Sequence, residues 1–450
     1  VNNENFKKGF NNYIKKYDGK AATIDNFIDC IFENSRNIDV EQFKLWYKQN
    51  GTPEVDLTRL WDKKNNELTI FMKQKNIKKS SINQLPLVIP IKLAIFKDKK
   101  DFFTHIFIFK TKEAKLTFKD LRTKLDQPII SLFREFSAPV NWRTDLTLDE
   151  ELFIIENEKD LFSIYDSITR IYKKIILNRN NNISIKKIED KLLKTMISIF
   201  KQNKNMNMKL LSEILTIPSF LNIESEIKDI DPNKLNQIIN DLNCKLSNQL
   251  EFHLLEKLND LEKEIHKKWP DGGAARKLID VIWRLLLNTK NMDIKKRVLK
   301  FVDSKNMTLS RSALNSFQKF NCEERSLASS LFLERWKGNK VVLDNWFYFM
   351  AGIQGEKTLE NIESLFKNKY FDEKSPNTLR SILNGYVINN PSFHKKDGSG
   401  YFYIAEKIIK FDSINPIVVS RFLKIFSHWE SYIEPYKEKM LCALKYIDSH

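Results

Sequence analysis

With 450 residues, 42% hydrophobic and 12% aromatic, the chain exceeds one ordinary domain and can fill sizeable cores, which excludes the disordered and collagen-like classes. Its 75 Lys and Arg against 58 Asp and Glu give a formal charge of +17. Basic and acidic residues nevertheless alternate, as in Lys97-Asp98-Lys99-Lys100-Asp101, so we read the charge as solvated surface and expect no nucleic-acid partner.

The first stretch is helical in period. Phe6, Phe10, Tyr13 and Ile14 share a face; a break at Asp18-Gly19 follows, and Thr23 is the expected N-cap of a second helix carrying Phe27, Ile28, Ile31 and Phe32. A third helix is expected over Asp39–Tyr47, ending at Asn50-Gly51-Thr52-Pro53. From Val55 the period becomes that of strands. Leu68–Met72, Leu87–Ile91, His105–Phe109, Lys115–Phe118 and Pro128–Phe133 are short β-branched or aromatic runs between polar turns. They predict a small β-sandwich ending near Val140. Pro86 and Pro90 predict that their strand bends or lies at an edge.

After Asp149 helical stripes return: Leu192, Leu193, Met196, Ile197 and Phe200; then Leu278, Ile279, Ile282, Trp283 and Leu286; then Val418, Phe422, Ile425 and Phe426. Breaks stand at Asn180-Asn181-Asn182, at Trp269-Pro270-Asp271-Gly272-Gly273 and at Asn390-Pro391. With only 11 Gly and 12 Pro in the chain, long regular elements are expected. The fold class is therefore mainly α with a small all-β domain: a short helical lead-in, a β-sandwich, and a large α-helical superhelix or solenoid.

Reactive chemistry is sparse. Cys30, Cys244, Cys322 and Cys442 form no Cys-x-x-Cys and no framework, which fits a reducing compartment. No apolar run of membrane-spanning length occurs. None of the six histidines is followed by Glu, so a His-Glu-x-x-His zinc motif cannot form. Glu262 with His266, and His253 with Glu256, read as ordinary helix-surface pairs. Gly398-Ser399-Gly400 is the one Gly-x-Gly, and its sixth position is Tyr403, so it reads as an interhelical turn rather than a phosphate cradle. Trp346-Phe347 reads as core. The chain shows no catalytic constellation of its own.

Several segments, in order, resemble one family. Phe6-Lys7-Lys8-Gly9 with Asp18-Gly19-Lys20-Ala21-Ala22-Thr23 resembles the end of the catalytic domain of M1 zinc aminopeptidases of the bacterial aminopeptidase N type. Trp46-Tyr47 with Gly51-Thr52-Pro53, Leu87-Val88-Ile89-Pro90 and Phe136-Ser137-Ala138-Pro139-Val140 resemble its β-sandwich. Ile214–Ser219, Asn306-Met307-Thr308, Val341–Phe347, Ser375–Arg380, Phe393–Tyr401 and Asn415-Pro416 with Ser420-Arg421 resemble its helical domain.

The resemblance implies a division into the last helices of a thermolysin-like zinc domain (1–50), a β-sandwich (51–143) and an all-helical carboxyl domain (144–450). It implies that the zinc site, present in the intact enzyme, lies upstream of Val1, so the chain is expected to be a fragment that binds no metal and is inactive alone. The helical domain would cap the active site and gate peptides, with Arg380 and Arg421 toward the channel. Lys16-Tyr17 and Thr378 depart from the family pattern. The expected partners are the upstream catalytic domain and peptide substrates, in a monomeric cytoplasmic protein with no membrane span. The alternative is a stand-alone helical scaffold that binds peptides or proteins through a concave surface.

Overall fold

A computed structural model describes residues 1–35, 39–76, 85–99, 102–202, 206–268, 272–355, 357–389 and 391–450. The expected breaks at Trp269-Pro270-Asp271 and Asn390, and Lys100-Asp101 of the mixed-charge run, lie outside them. The chain divides into two compact units, 1–168 and 169–450. It is mainly helical with a small all-β region, as the periodicity predicts.

The first unit opens with α1 (Asn3–Tyr17), α2 (Ile24–Phe32) and α3 (Val40–Lys48). Each start is capped by a side chain: Asn2, Thr23 in a reciprocal capping box with Asn26, and Asp39. α1 crosses α2 at Gly9, where an added Cβ would lie 2.4 Å from the Cys30 carbonyl oxygen. Only glycine allows that approach. Phe6, Phe10 and Ile14 on α1 remain exposed, while Phe27 packs edge-on against Tyr13.

Seven strands follow: β1 (Pro53–Asp62), β2 (Glu67–Asn76), β3 (Ile89–Phe96), β4 (Phe102–Phe109), β5 (Glu113–Phe118), β6 (Ile129–Ser131) and β7 (Asn141–Thr144). One sheet has the order β5-β2-β1-β7 and the other β4-β3-β6. All pairs are antiparallel except β1 with β7, which is parallel. Val55 and Leu57 of β1, Leu68, Ile70 and Met72 of β2 and Ile91 and Leu93 of β3 alternate into a common core. α4 (Leu148–Asn157) closes the unit, its Phe153 meeting Phe96 edge to face.

Two strand expectations need correction. The run Leu87–Ile91 enters the sheet only at Ile89, because side chains already satisfy the preceding backbone. Trp46 Nε1 donates to the Val88 carbonyl at 2.9 Å, Gln42 Nε2 to Pro86 at 3.0 Å, and Gln74 exchanges two bonds with Leu87. Nor is the strand of Pro90 an edge; β3 is the centre of its sheet. β6 pairs only with Ala94–Phe96, so no neighbour needs the missing Pro90 N–H. The Lys92 N–H, two residues on and pointing the same way, goes to Ser137 Oγ at 3.1 Å. β7 has no counterpart among the runs read from the sequence, since its four residues alternate too briefly to show a period.

The second unit is helical, and α5 (Leu161–Asn180) crosses into it. Then come α6 (Lys186–Gln202), α7 (Met208–Ile214), α8 (Phe220–Glu224), α9 (Pro232–Glu264), α10 (Gly273–Leu286), α11 (Met292–Val302) and α12 (Met307–Ser316). The series ends with α13 (Glu323–Trp336), α14 (Lys340–Ala351), α15 (Thr358–Phe366), α16 (Pro376–Asn389), α17 (Ser399–Asp412), α18 (Pro416–Leu423) and α19 (Tyr436–Asp448). Asparagine does much of the capping: Asn207, Asn291, Asn306 and Asn339 each accept a first-turn N–H.

The longest helix, α9, runs 33 residues behind an Asp231 cap and Pro232. Its stripe of Leu235, Leu242, Leu246, Leu250, Leu254, Leu258 and Leu261 is buried, and α9 packs against α6 and α10. The turn before α17 shows why it carries two glycines. Gly398 has φ +77°, and a Cβ on Gly400 would stand 2.3 Å from the Phe393 carbonyl oxygen. The carboxyl-terminal segment returns to the start of α9 through backbone bonds between Ile230 and both Ser431 and Ile433, and through Asn233 Nδ2 donating to Tyr436 Oη at 2.7 Å.

Candidate functional site

The helical unit contains a concavity of about 690 Å³ lined from α8, α9, α10, α12, α16 and α18 and the turns beside them. Its floor is a closed aromatic network. Tyr432 Oη donates to Glu224 Oε1 at 2.7 Å, His394 stacks on the Tyr432 ring, and His394 Nδ1 pairs with Tyr401 Oη at 2.9 Å. Burial pushes the His394 imidazole down to about 3, so it is neutral. Desolvation likewise raises Tyr432 and Tyr401 well above the ordinary tyrosine range.

The walls are cationic. Arg284, Lys319, Arg421 and Lys424 line the cavity, and Glu224, already occupied by Tyr432, is the one carboxylate among the described lining residues. Arg284 is held by Asp280 of the preceding turn at 2.6 Å. Lys319 lines the cavity and is exposed to it, with protein on its flanks. Desolvation first, then the neighbouring Arg284, lowers its pKa. Between these charges stand side-chain amides, among them Asn236, Asn240 and Asn243 on one face of α9, Asn315 and Gln318 from the region of α12, and Asn384 on α16. Such groups bind carbonyls, amides and carboxylates.

The two arginines singled out from the sequence are placed differently. Arg421 lines the cavity and is exposed to it. Arg380 is not among the lining residues; its Nη2 donates to Asn377 Oδ1 at 3.3 Å, and it stands one helical turn before Asn384, which does line the wall. Thr378 is buried and donates to Asp344 Oδ1 at 2.8 Å. Burial raises the Asp344 carboxyl, outweighing the opposing effects of Thr378 and Arg380.

Among the described residues no three His, Cys, Asp or Glu side chains come together. Glu262 pairs with Arg297 at 2.6 Å rather than with His266, and His253 lies 3.7 Å from Glu256. Trp346 is core, with its Nε1 on Ser329 Oγ at 3.0 Å. The α9 amides, Lys319 and the Glu224–Tyr432 pair went unnoticed in the sequence. The Asn spacing at 236, 240 and 243 is visible there, but in so Asn-rich a chain it does not stand out.

Residues 148–450 match the family described as "Domain of unknown function (DUF3458_C) ARM repeats", and 51–145 match "Domain of unknown function (DUF3458) Ig-like fold". The chain belongs to this family: an Ig-like sandwich followed by ARM-like helical repeats. It is homologous to the carboxyl-terminal part of aminopeptidase N. It is 27% identical to aminopeptidase N of Escherichia coli, over 99% of this chain and 52% of that protein. The corresponding proteins of Haemophilus influenzae and Caulobacter vibrioides are 24% and 26% identical, over 53% and 52% of their lengths. A crystal structure of Legionella pneumophila aminopeptidase A with aspartic acid matches the whole chain and 53% of its own, at TM-score 0.86 and 23% identity, and so shares the fold. The chain thus spans about half the length of these relatives.

Proposed function

We propose that this chain is the carboxyl-terminal portion of an aminopeptidase N-like zinc metallopeptidase that releases amino-terminal residues from peptides. In this reading residues 1–50 are the last helices of the zinc domain, 51–143 the sandwich and 144–450 the helical domain, with the catalytic centre upstream of Val1. The observation that carries it is homology to aminopeptidase N along 99% of the chain; a stand-alone scaffold has no comparable support.

The zinc would be held by the upstream domain, and the chemistry it would supply there is polarisation of the scissile carbonyl and activation of water. This chain's residues receive and orient the peptide. Arg421, Lys424 and Lys319 offer positive charge to peptide carboxylates from the cavity wall, and Arg380 would serve the same path from one turn along α16. The exposed apolar stripe of Phe6, Phe10 and Ile14 would pack on the catalytic domain. Among the described residues no helix is long and apolar enough to cross a membrane, and the four cysteines are free. The free thiols fit a reducing compartment, and in this reading the enzyme is a cytoplasmic monomer.

The test begins with the coding DNA upstream of Val1. An open frame with His-Glu-x-x-His and a later Glu is expected. The extended protein should release amino acids from aminoacyl anilides, stop on chelation and recover with zinc, while the 450-residue chain alone does nothing. A start codon at Val1, or an extended protein without this activity, overturns the reading.

A further inference from the structure

The wall of the cavity formed by α9 carries Asn236, Asn240 and Asn243 at i, i+4 and i+7, all facing the open space. At about 1.5 Å rise per residue the first two stand about 6 Å apart along the helix and the last two about 4.5 Å. The peptide groups on one side of an extended chain recur about every 6.6 Å. The ladder therefore spans about three residues of an extended peptide.

The hydrogen bonds already made set what each amide still offers. Asn243 Nδ2 donates to the Ile239 carbonyl at 2.9 Å, which leaves its Oδ1 as an acceptor. Asn240 Oδ1 faces Lys319 Nζ at 3.5 Å, which leaves its Nδ2 as a donor. Asn236 and, on α16, Asn384 are half-buried, and among the described residues neither amide has a partner. A carboxamide carries both halves of a peptide group's hydrogen-bonding pattern, and in a partly enclosed site unpaired halves are costly. No described acidic lining group apart from the occupied Glu224 competes for these donors.

We infer that Asn236, Asn240 and Asn243, with Asn384, bind extended peptide through its main chain, so that the cavity holds peptides with little regard to their side chains. The inference rests on the peptide-processing function proposed above and adds how the substrate is gripped. Main-chain recognition would admit many sequences without a pocket for each side chain, because every residue except proline presents the same N–H and C=O.

The test is an anisotropy titration of the whole 450-residue chain with three short fluorescent peptides: a parent, its scrambled sequence, and the parent N-methylated at alternate residues. N-methylation removes donors and keeps every side chain. Parent and scrambled peptides should bind alike, and the N-methylated one about tenfold more weakly, the effect of about two hydrogen bonds. The double variant Asn236→Leu/Asn240→Leu, with circular dichroism and thermal unfolding unchanged, should lose about tenfold for the parent and discriminate less against N-methylation. Asn384→Leu, on a different helix, should weaken parent and scrambled peptides equally.

Equal binding of parent and N-methylated peptides overturns the inference, as does scrambling that costs as much as methylation. Either result leaves a peptide-binding cavity in place. If no peptide binds at all, the inference and the peptide-receiving role both fall.

Discussion

The sandwich region and the cavity wall of the helical unit treat their polar side chains in opposite ways. Around the sandwich, charges are closed into pairs. Arg59 holds Glu150 through Nη1 at 2.6 Å and Nη2 at 2.9 Å and Asp145 through Nε at 2.8 Å, and Arg134 meets Glu158 at 3.0 Å. Arg59 and Glu150 are both nearly inaccessible. In the helical unit, Arg421 and Lys424 face the cavity with no described acidic partner, and the amides beside them are only half used. Paired, buried charges fix geometry, whereas unpaired groups at a concave wall are available to a ligand. The contrast separates closed from open polar groups within one chain.

The sharpest way to break this comparison is to open the sandwich clamp. Arg59→Met leaves Glu150 buried without its partner and should cost about 3–5 kcal/mol, read as a shift in denaturant midpoint. If the loss is small, the clamp is no more structural than the cavity cations. The pair also predicts acid sensitivity. Burial alone would raise the Glu150 carboxyl, but Arg59 and Thr147 more than offset it and hold the pKa low. Its contribution is complete above the unfolded value of about 4.3 and disappears as pH falls through the lower folded value.

His394 gives the helical unit an earlier acid response. Its folded value of about 3 lies below the ordinary histidine value of about 6.5, so the unfolded chain gains a proton first. Stability should fall by about 1.4 kcal/mol per pH unit below about pH 6.5. His394→Phe, followed by the same pH series, should flatten that slope. An unchanged slope would assign the acid response elsewhere.

Gly400→Ala comes next, at about 1–3 kcal/mol, because the new methyl meets the Phe393 carbonyl and the Tyr386 hydroxyl. Smallest in stability is Arg421→Ala, expected to stay within about 0.5 kcal/mol. Its effect should appear instead as weaker binding of a peptide with a free carboxyl end and no change for the amidated peptide. A comparable stability loss from Arg421→Ala and Arg59→Met would erase the distinction between the two regions.

Much of the architecture was legible because it depends on local period. The α2 cap at Thr23, the strands around Ile70 and Ile106, and the buried stripes of α10 and α18 are set by neighbours three, four or two residues away. Gly9 could be quoted as part of a motif, but its reason, the 2.4 Å approach to the Cys30 carbonyl, exists only once α1 and α2 cross. The site was less legible for the same reason. Arg380 and Arg421 were chosen by resemblance, and only Arg421 lines the cavity.

The amino-acid sequence by itself determined the succession of helical lead-in, strands and helical region, the cap at Thr23, several buried stripes, and the ordered motifs that mark the family, since all of these are short-range or collinear. Tertiary structure alone decided that Pro90 sits in a central strand, that β7 runs parallel to β1, and that Glu224 meets Tyr432 across 208 positions. It also decided that Asn240 faces Lys319 across a cavity while Arg59 is sealed against Glu150. Pairing, burial and solvent access depend on which distant segments come to face each other, and no local pattern carries that information.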